Sequence, residues 1–318
     1  MEEIKINGFK KREIEGICIK INCDLVKYSF LSTGAHNESW VIECKDRKYL
    51  LKTGDNPDKL EGEFNFLKRL KKNLAPEAIF FDKGNKVGKK AFLIEEFLIG
   101  KNPSKKPSDK FVNAMANWYK RLHKVKSRRI ESDERKRIHS LKHWASEGFE
   151  KYKKLDPLKD NTINERIGKF FSEVLEICKK NDVLFKSRKN FSLTQNDPSL
   201  DNIFIEGNKI RLIDWEFAGF GLYERDLLNF FDRFPLSRKQ MSLFLKSYGL
   251  KEKGIVKKRL KILSLILLSN DLRYLIDRMN NIREGKIGRK QRSSRIISLN
   301  RKLKKILIEG EKSFKHGI

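Results

Sequence analysis

An α+β fold in two lobes, strand-rich first and helical afterwards, is what this 318-residue sequence predicts. Three observations point there. Residues 1–100 alternate strand-like runs with Gly, Asn and Asp at the joins, interrupted by a single helical pattern. Residues 101–318 carry mostly helical periodicity. Hydrophobic residues at 39% and aromatics at 10% are enough for a packed core, and the length suits two lobes rather than one.

In the first lobe, VKYSFLS (26–32), WVIECKD (40–46), RKYLLKTG (47–54), AIFFDKG (78–84) and KKAFLIEEFLIG (89–100) are rich in branched and aromatic residues, so a mainly antiparallel sheet is expected. Between them, DKLEGEFNFLKRLKKNLAP (58–76) places Leu60, Phe64, Leu67 and Leu70 at helical spacing and ends before Pro76. KNPSKKPS (101–108) is a polar connector. KFVNAMANWYKRLHKV (110–125) follows as an amphipathic helix, with further helices expected over 134–150, 162–180, 224–233, 237–248, 255–281 and 295–309. Two short strands around FIEG and KIRLID interrupt this series, and their joining Gly207-Asn208 is hairpin chemistry. REGKIGRKQRSSR (283–295) is expected as a mobile basic loop.

Charge is the unusual quantity. Lys+Arg total 71 against 42 Asp+Glu, a net +29. Residues 251–318 hold 20 Lys+Arg and 6 Asp+Glu, a local +14. Such a field attracts a polyanion or an anionic surface, and a lysine-rich composition also serves solubility. Cys18, Cys23, Cys44 and Cys178 form no zinc spacing and are expected as buried thiols of a reducing compartment. The first residues lack the apolar core of a signal peptide, so a soluble, cytoplasmic protein is expected.

The chemistry concentrates in SLTQNDPSLDNIFIEGNKIRLIDWEFAGFG (192–221). Taken singly, Asp197 suits an Asx turn before Pro198, Asn202 a cap and Asp214 a strand end. Together they supply what phosphoryl transfer needs. Asp197 can orient or deprotonate an acceptor hydroxyl, while Asn202 and Asp214 are oxygen donors for Mg²⁺ shared with nucleotide phosphates.

NDPSLDN followed by LIDWEFAG resembles the aminoglycoside phosphotransferase/choline kinase family, of protein-kinase-like fold, and in motif is nearest its choline and ethanolamine kinases. The resemblance covers about residues 25–245. It implies a bilobal enzyme that uses ATP and Mg²⁺, with a nucleotide-binding lobe over 1–100 and a catalytic and acceptor-binding lobe over 101–318. It implies Asp197 as the catalytic-loop aspartate, Asn202 and Asp214 as metal ligands, and Asp226 in YERDLLNFF as support for the catalytic segment. In the first lobe it implies Gly34 over the nucleotide, Lys52 at the phosphates, and Glu63 pairing with Lys52, with Glu61 as the alternative. Glu95, Glu96 and Phe97 fall where backbone groups of the connector meet adenine. His123 is expected as a supporting histidine. Gln195 stands where the family usually has His, and altered loop support is expected there.

The acceptor is open between classes. RNA, tRNA being a compact candidate, offers hydroxyls and a polyanionic backbone. Lys257, Lys258, Arg259, Lys261, Arg289, Lys290, Arg292 and Arg295 would position it, extended by Arg301, Lys302, Lys304 and Lys305. The alternatives are a small-molecule kinase for choline- or ethanolamine-like amino alcohols or aminoglycosides, and a non-catalytic nucleic-acid-binding module. An aromatic cation box could draw on Trp144 and Trp215, since 216–318 holds no tryptophan.

Overall fold

The computed structural model describes residues 11–33, 37–84, 90–125, 140–158, 160–185, 191–250, 254–284 and 292–315. They divide into two compact units. The first comprises residues 1–125, 195–219 and 229–247, and the second residues 126–194, 220–228 and 248–318.

The first unit opens with helix α1 (Lys11–Lys20), which the sequence analysis did not anticipate. It buries Ile14, Ile17, Cys18 and, just beyond its end, Ile21, one turn apart on one face. Strands β1 (Leu25–Thr33), β2 (Asn37–Cys44), β3 (Lys48–Gly54), β4 (Ala78–Asp82) and β5 (Phe92–Glu96) form the expected antiparallel sheet, in the order β1-β2-β3-β5-β4. Ile14, Ile17, Trp40, Ile42, Tyr49, Leu51, Phe92 and Ile94 make one core under this sheet. Helix α2 (Pro57–Arg69) starts on an Asn56 side-chain cap with Pro at its first position, and buries Leu60, Glu63 and Leu67.

Cys23 and Cys44 are joined in a disulfide that fixes the entry of β1 to the end of β2. This corrects the expectation of four free thiols. Leu25 pairs with Cys44 across the sheet, so folding brings together two cysteines whose sequence spacing of 21 signals nothing. Cys18 and Cys178 are the buried free thiols.

Helix α3 (Asp109–Leu122), capped by Ser108, buries Phe111, Met115, Trp118, Tyr119 and Leu122 as its pattern predicts. Helix α4 (Leu141–Lys153) is the described part of the helix expected over 134–150, whose first residues lie outside the described ones. Helix α5 (Asn161–Asn181) and strand β6 (Phe191–Thr194) follow. Strands β7 (Ile203–Glu206) and β8 (Lys209–Leu212) form the expected hairpin, closed through Gly207 at φ +59°. Strand β9 (Gly219–Leu222) pairs with β6, and helices α6 (Tyr223–Arg233) and α7 (Arg238–Tyr248) come next.

In the second unit, α8 (Gly254–Arg283) and α9 (Arg292–Lys315) join α4 and α5 around a core that includes Ile167, Phe170, Phe171, Ile262, Ile266, Leu272, Leu303 and Leu307. The last four residues of the expected basic loop, 292–295, are therefore the first turn of α9. Among the described residues, no helix is long and apolar enough to cross a membrane.

Candidate active site

All the residues that converge here lie in the first unit. β2 and β5 flank β3, with Lys52 opposite Leu93 and Leu50 opposite Glu95, so these four side chains share one face of the sheet. Lys52 is buried, and its Nζ lies 2.7 Å from Glu63 Oε1, 3.5 Å from Asp214 Oδ1 and 4.0 Å from Glu95 Oε1. Burial alone would favour the neutral amine, but the carboxylates of Glu63, Glu95 and Asp214 outweigh it and hold the Lys52 ammonium well above the usual lysine range. Glu63 is thus the partner of Lys52. Glu61, the alternative, is half-buried and pairs with Lys83 at 3.0 Å.

Glu63 does a second thing. Its Oε1 also accepts a hydrogen bond from the backbone N–H of Trp215 at 3.0 Å, tying α2 to the turn that carries Asp214. Asp214 sits there at φ +60° and Asn196 at φ +70°, both in the left-handed region that Asn and Asp tolerate best among residues with a Cβ.

The Asp197 loop is held from several sides. Asn202 donates from Nδ2 to Asp197 Oδ2 at 3.0 Å and to the Asp197 carbonyl at 3.2 Å, leaving its amide oxygen for another partner. The Ile213 N–H donates to the Asn202 carbonyl at 2.9 Å, which sets the Asn202 and Asp214 segments side by side. Gln195, fully buried, accepts from the Asp197 N–H at 2.9 Å and donates to the carbonyls of Asp214 at 3.0 Å and Ile213 at 3.3 Å. One neutral amide therefore ties the Asp197 loop to the Asp214 loop.

Further supports have no strong sequence signal. Asn102 Nδ2 lies 3.0–3.3 Å from the carbonyls of Leu200, Asp201 and Ile203, and Asn229 donates to the Asn196 carbonyl at 2.9 Å. The Lys101–Ile205 bridge brings Gly100 so close that a Cβ there would stand 2.9 Å from the Ile205 carbonyl oxygen. Trp118 and Leu212 both donate to the Leu74 carbonyl, at 3.1 Å each.

Burial raises the Asp197 carboxyl above its ordinary range. Arg233 pulls it down, Asp214 pushes it up, and the Asn202 hydrogen bond pulls it down. The net effect makes Asp197 a better proton acceptor than a solvated aspartate.

The donor set fits a hard divalent cation shared with phosphates: one carboxylate at Asp214, one-third exposed, and one amide oxygen at Asn202. No three His, Cys, Asp or Glu side chains converge as a protein-only metal cage among the described residues. Magnesium ordinarily completes its shell with water and nucleotide oxygens, so two ligands suffice.

The remaining predicted residues divide. Glu96 turns away from Lys52: its carboxylate accepts from Arg211 at 2.6 Å and from the Glu77 N–H at 3.2 Å. The Phe97 N–H is taken by the Lys48 carbonyl at 3.3 Å. His123 caps the end of α3, buried and stacked on Tyr119. Asp226 is fully buried in α6, in the second unit. Gly34, Arg289 and Lys290 lie outside the described residues.

In the predicted acceptor surface, Lys257 is exposed, Lys258 and Lys261 are half-buried, and Arg292 and Arg295 lie in the first turn of α9. Arg259 is a correction. It is 5% exposed, pairs with the fully buried Glu224 at 2.5–2.6 Å, donates to the Leu184 carbonyl and stacks on Phe185. Its charge is consumed inside the second unit. Trp215 is likewise fully buried, donating to the Leu212 carbonyl at 2.8 Å, so it cannot line a cation box.

The family model described as "Phosphotransferase enzyme family" matches residues 27–257, well over half of the chain. Among solved structures, the chain is similar to a putative aminoglycoside phosphotransferase from Ralstonia eutropha, with 14% identity, 97% of this chain and 99% of that one covered, and a TM-score of 0.73. It is similar to choline kinase from Cryptosporidium parvum, with 15% identity, 96% of each chain covered and a TM-score of 0.63. It is also similar to an amicoumacin kinase in complex with AMP-PNP and Ca²⁺, with 15% identity, 95% and 94% covered and a TM-score of 0.61. No curated protein matches the sequence. The fold is protein-kinase-like, and the chain belongs to the phosphotransferase enzyme family, the ATP-dependent kinases that transfer phosphate to a hydroxyl acceptor.

Proposed function

We propose that the protein moves the γ-phosphate of ATP to a hydroxyl of a small amine-bearing acceptor, of the amino-alcohol or aminoglycoside kind. The observation that carries the phosphotransfer reading is the convergence of Lys52, Glu63, Asp197, Asn202 and Asp214 within one compact unit. Residues 1–100 serve as the nucleotide lobe and 101–318 as the catalytic and acceptor lobe. Lys52, oriented by Glu63, neutralises phosphate charge. Asn202 and Asp214 are the residues that would hold Mg²⁺, and the ion would supply charge neutralisation for phosphoryl transfer. Asp197 orients the acceptor hydroxyl and takes its proton, its raised proton affinity suiting the task. Gln195 keeps the Asp197 and Asp214 loops in register throughout.

The small acceptor is supported by the company the fold keeps, choline and ethanolamine kinases and aminoglycoside and amicoumacin kinases. The RNA acceptor expected from charge finds no such support. One observation still favours a polyanion as a second reading. The exposed face of α9 carries Arg301, Lys302, Lys304 and Lys305, beyond the stretch matched to the family.

ADP release with Mg·ATP, measured over choline, ethanolamine, a panel of aminoglycosides and total tRNA, tests both readings, with Asp197→Asn as control. Turnover with a small amine is expected. ADP release stimulated by tRNA alone would overturn the small-acceptor reading, and salt-sensitive RNA binding without ADP release would leave only a non-catalytic nucleic-acid module.

A further inference from the structure

Arg233 ends helix α6 with its side chain exposed, and its guanidinium makes no ion pair or hydrogen bond among the described residues. Its place is fixed nonetheless. Phe230 and Phe234, which flank it, are fully buried. Phe230 packs on Phe111, Tyr119 and Phe244, and Phe234 packs on Phe111, which sets the rotation of this last turn. One turn earlier, Asn229 donates to the Asn196 carbonyl at 2.9 Å. Residues four apart lie one above the other on a helix, so Arg233 shares the face that Asn229 turns to the Asp197 loop.

Asn196, Asp197, Asn229 and Arg233 all belong to the first unit. Among the charges that act on Asp197, that of Arg233 comes first, ahead of Asp214. An exposed guanidinium therefore stands near the acid that orients the acceptor, with its N–H donors unspent. The phosphotransfer scheme leaves this cation without a task, because Lys52, Asn202 and Asp214 already serve the nucleotide phosphates. A planar guanidinium takes carboxylate and phosphate oxygens through paired hydrogen bonds, and it repels an ammonium brought beside it.

We propose that Arg233 is a specificity residue of the acceptor site, and that the acceptor carries an oxyanion, a carboxylate or a phosphate, beside the hydroxyl that Asp197 orients. The proposal rests on the phosphotransfer reading given above and narrows its acceptor class. An amino alcohol that also bears such an anion fits, whereas choline and the polycationic aminoglycosides meet Arg233 as like charge. A cation that served only to favour the ionised form of Asp197 would act alike on every acceptor. Arg233 as a specificity residue acts on one acceptor and not on its uncharged counterpart.

The test is ADP release with Mg·ATP over matched alcohols, L-serine against ethanolamine and glycerol 3-phosphate against glycerol, by the native full chain, Arg233→Lys and Arg233→Glu. The members of each pair differ by an anionic group, so the ratio of kcat/KM within a pair cancels any general effect of the substitution on Asp197. The native protein is expected to favour the anionic member of at least one pair by about 10-fold or more, and that pair tells carboxylate from phosphate. Arg233→Lys should keep part of the ratio, and Arg233→Glu should bring it to unity or below. A native ratio at or below unity in both pairs, a ratio unchanged in Arg233→Glu, or turnover confined to choline or aminoglycosides would overturn the proposal and leave the kinase reading standing. No ADP release with any of these alcohols, choline and aminoglycosides included, would remove the small-acceptor kinase reading and this proposal with it.

Discussion

Removing the Lys52 ammonium separates what the buried cluster does for stability from what it does for chemistry. Lys52 and Glu63 are 6% and 0% exposed in their side chains and 2.7 Å apart. Lys52→Met leaves Glu63 with only the Trp215 N–H, and one oxygen of that carboxylate has no partner even in the native protein. Breaking a buried pair from one side costs about 3–5 kcal/mol. Glu63→Leu strips the Trp215 N–H of its acceptor, at about 1–3 kcal/mol, and leaves Lys52 facing Asp214 and Glu95. The double variant removes both charges together and should cost less than the sum of the singles by about 2 kcal/mol or more. Urea unfolding of the four proteins measures this directly. Phosphotransfer should be lost in all three variants, because the phosphate contact is gone or unanchored in each. A departure from additivity below about 0.5 kcal/mol would refute the argument, and so would a double variant that regains turnover along with stability.

Four further outcomes follow from the structure. Asp197→Asn should lower kcat by about 10²–10⁴ while leaving nucleotide affinity within a few-fold. In the native enzyme kcat/KM should fall as pH drops through a carboxylate pKa lying above the usual 3.8, because the base must be ionised and burial raises its pKa; an acid limb unchanged in a slow Asp197→Asn variant would assign that titration elsewhere. Gln195→Ala strips the Asp197 N–H and the Asp214 carbonyl of their shared partner, so a loss of about 1–3 kcal/mol in urea and a lower kcat are expected, with Gln195→His recovering part of both. Reducing the Cys23–Cys44 disulfide releases a loop of 21 residues, worth about 3 kcal/mol by chain entropy, and the thermal midpoint with and without reductant reads it.

Much of this molecule is written in local patterns. The sheet order could not be read, yet its strands could, because Trp40, Ile42, Leu51 and Phe92 sit in runs of branched and aromatic residues. Asp197, Asn202 and Asp214 stand out in the sequence because they fall at short spacings in one stretch, and the fold sets their segments side by side. The Lys52–Glu63 pair was implied by the resemblance with Glu61 left as the alternative, and the fold decides between the two. What stayed hidden depends on contacts across long stretches of chain. The α1 face of Ile14, Ile17 and Ile21 is brief and broken by Gly16, so its period was easy to miss. Cys23 and Cys44 meet only through strand register. Arg259 looks in sequence like every other basic residue of its segment, and only the buried Glu224, 35 residues away, makes it structural. Glu95 and Glu96 are indistinguishable as a dipeptide, and strand alternation sends one to Lys52 and the other to Arg211.

Transfer of labelled γ-phosphate from Mg·ATP to a panel of small amino alcohols and aminoglycosides, by the native protein and by Asp197→Asn, bears most directly on the central claim. The arrangement of Lys52, Asp197, Asn202 and Asp214 predicts a labelled hydroxyl product with the native protein and a loss of at least 100-fold with the variant. Equal label transfer by the two proteins would contradict the role assigned to Asp197, and a native protein that binds Mg·ATP yet phosphorylates no hydroxyl in the panel or in RNA would contradict phosphotransfer by this chain.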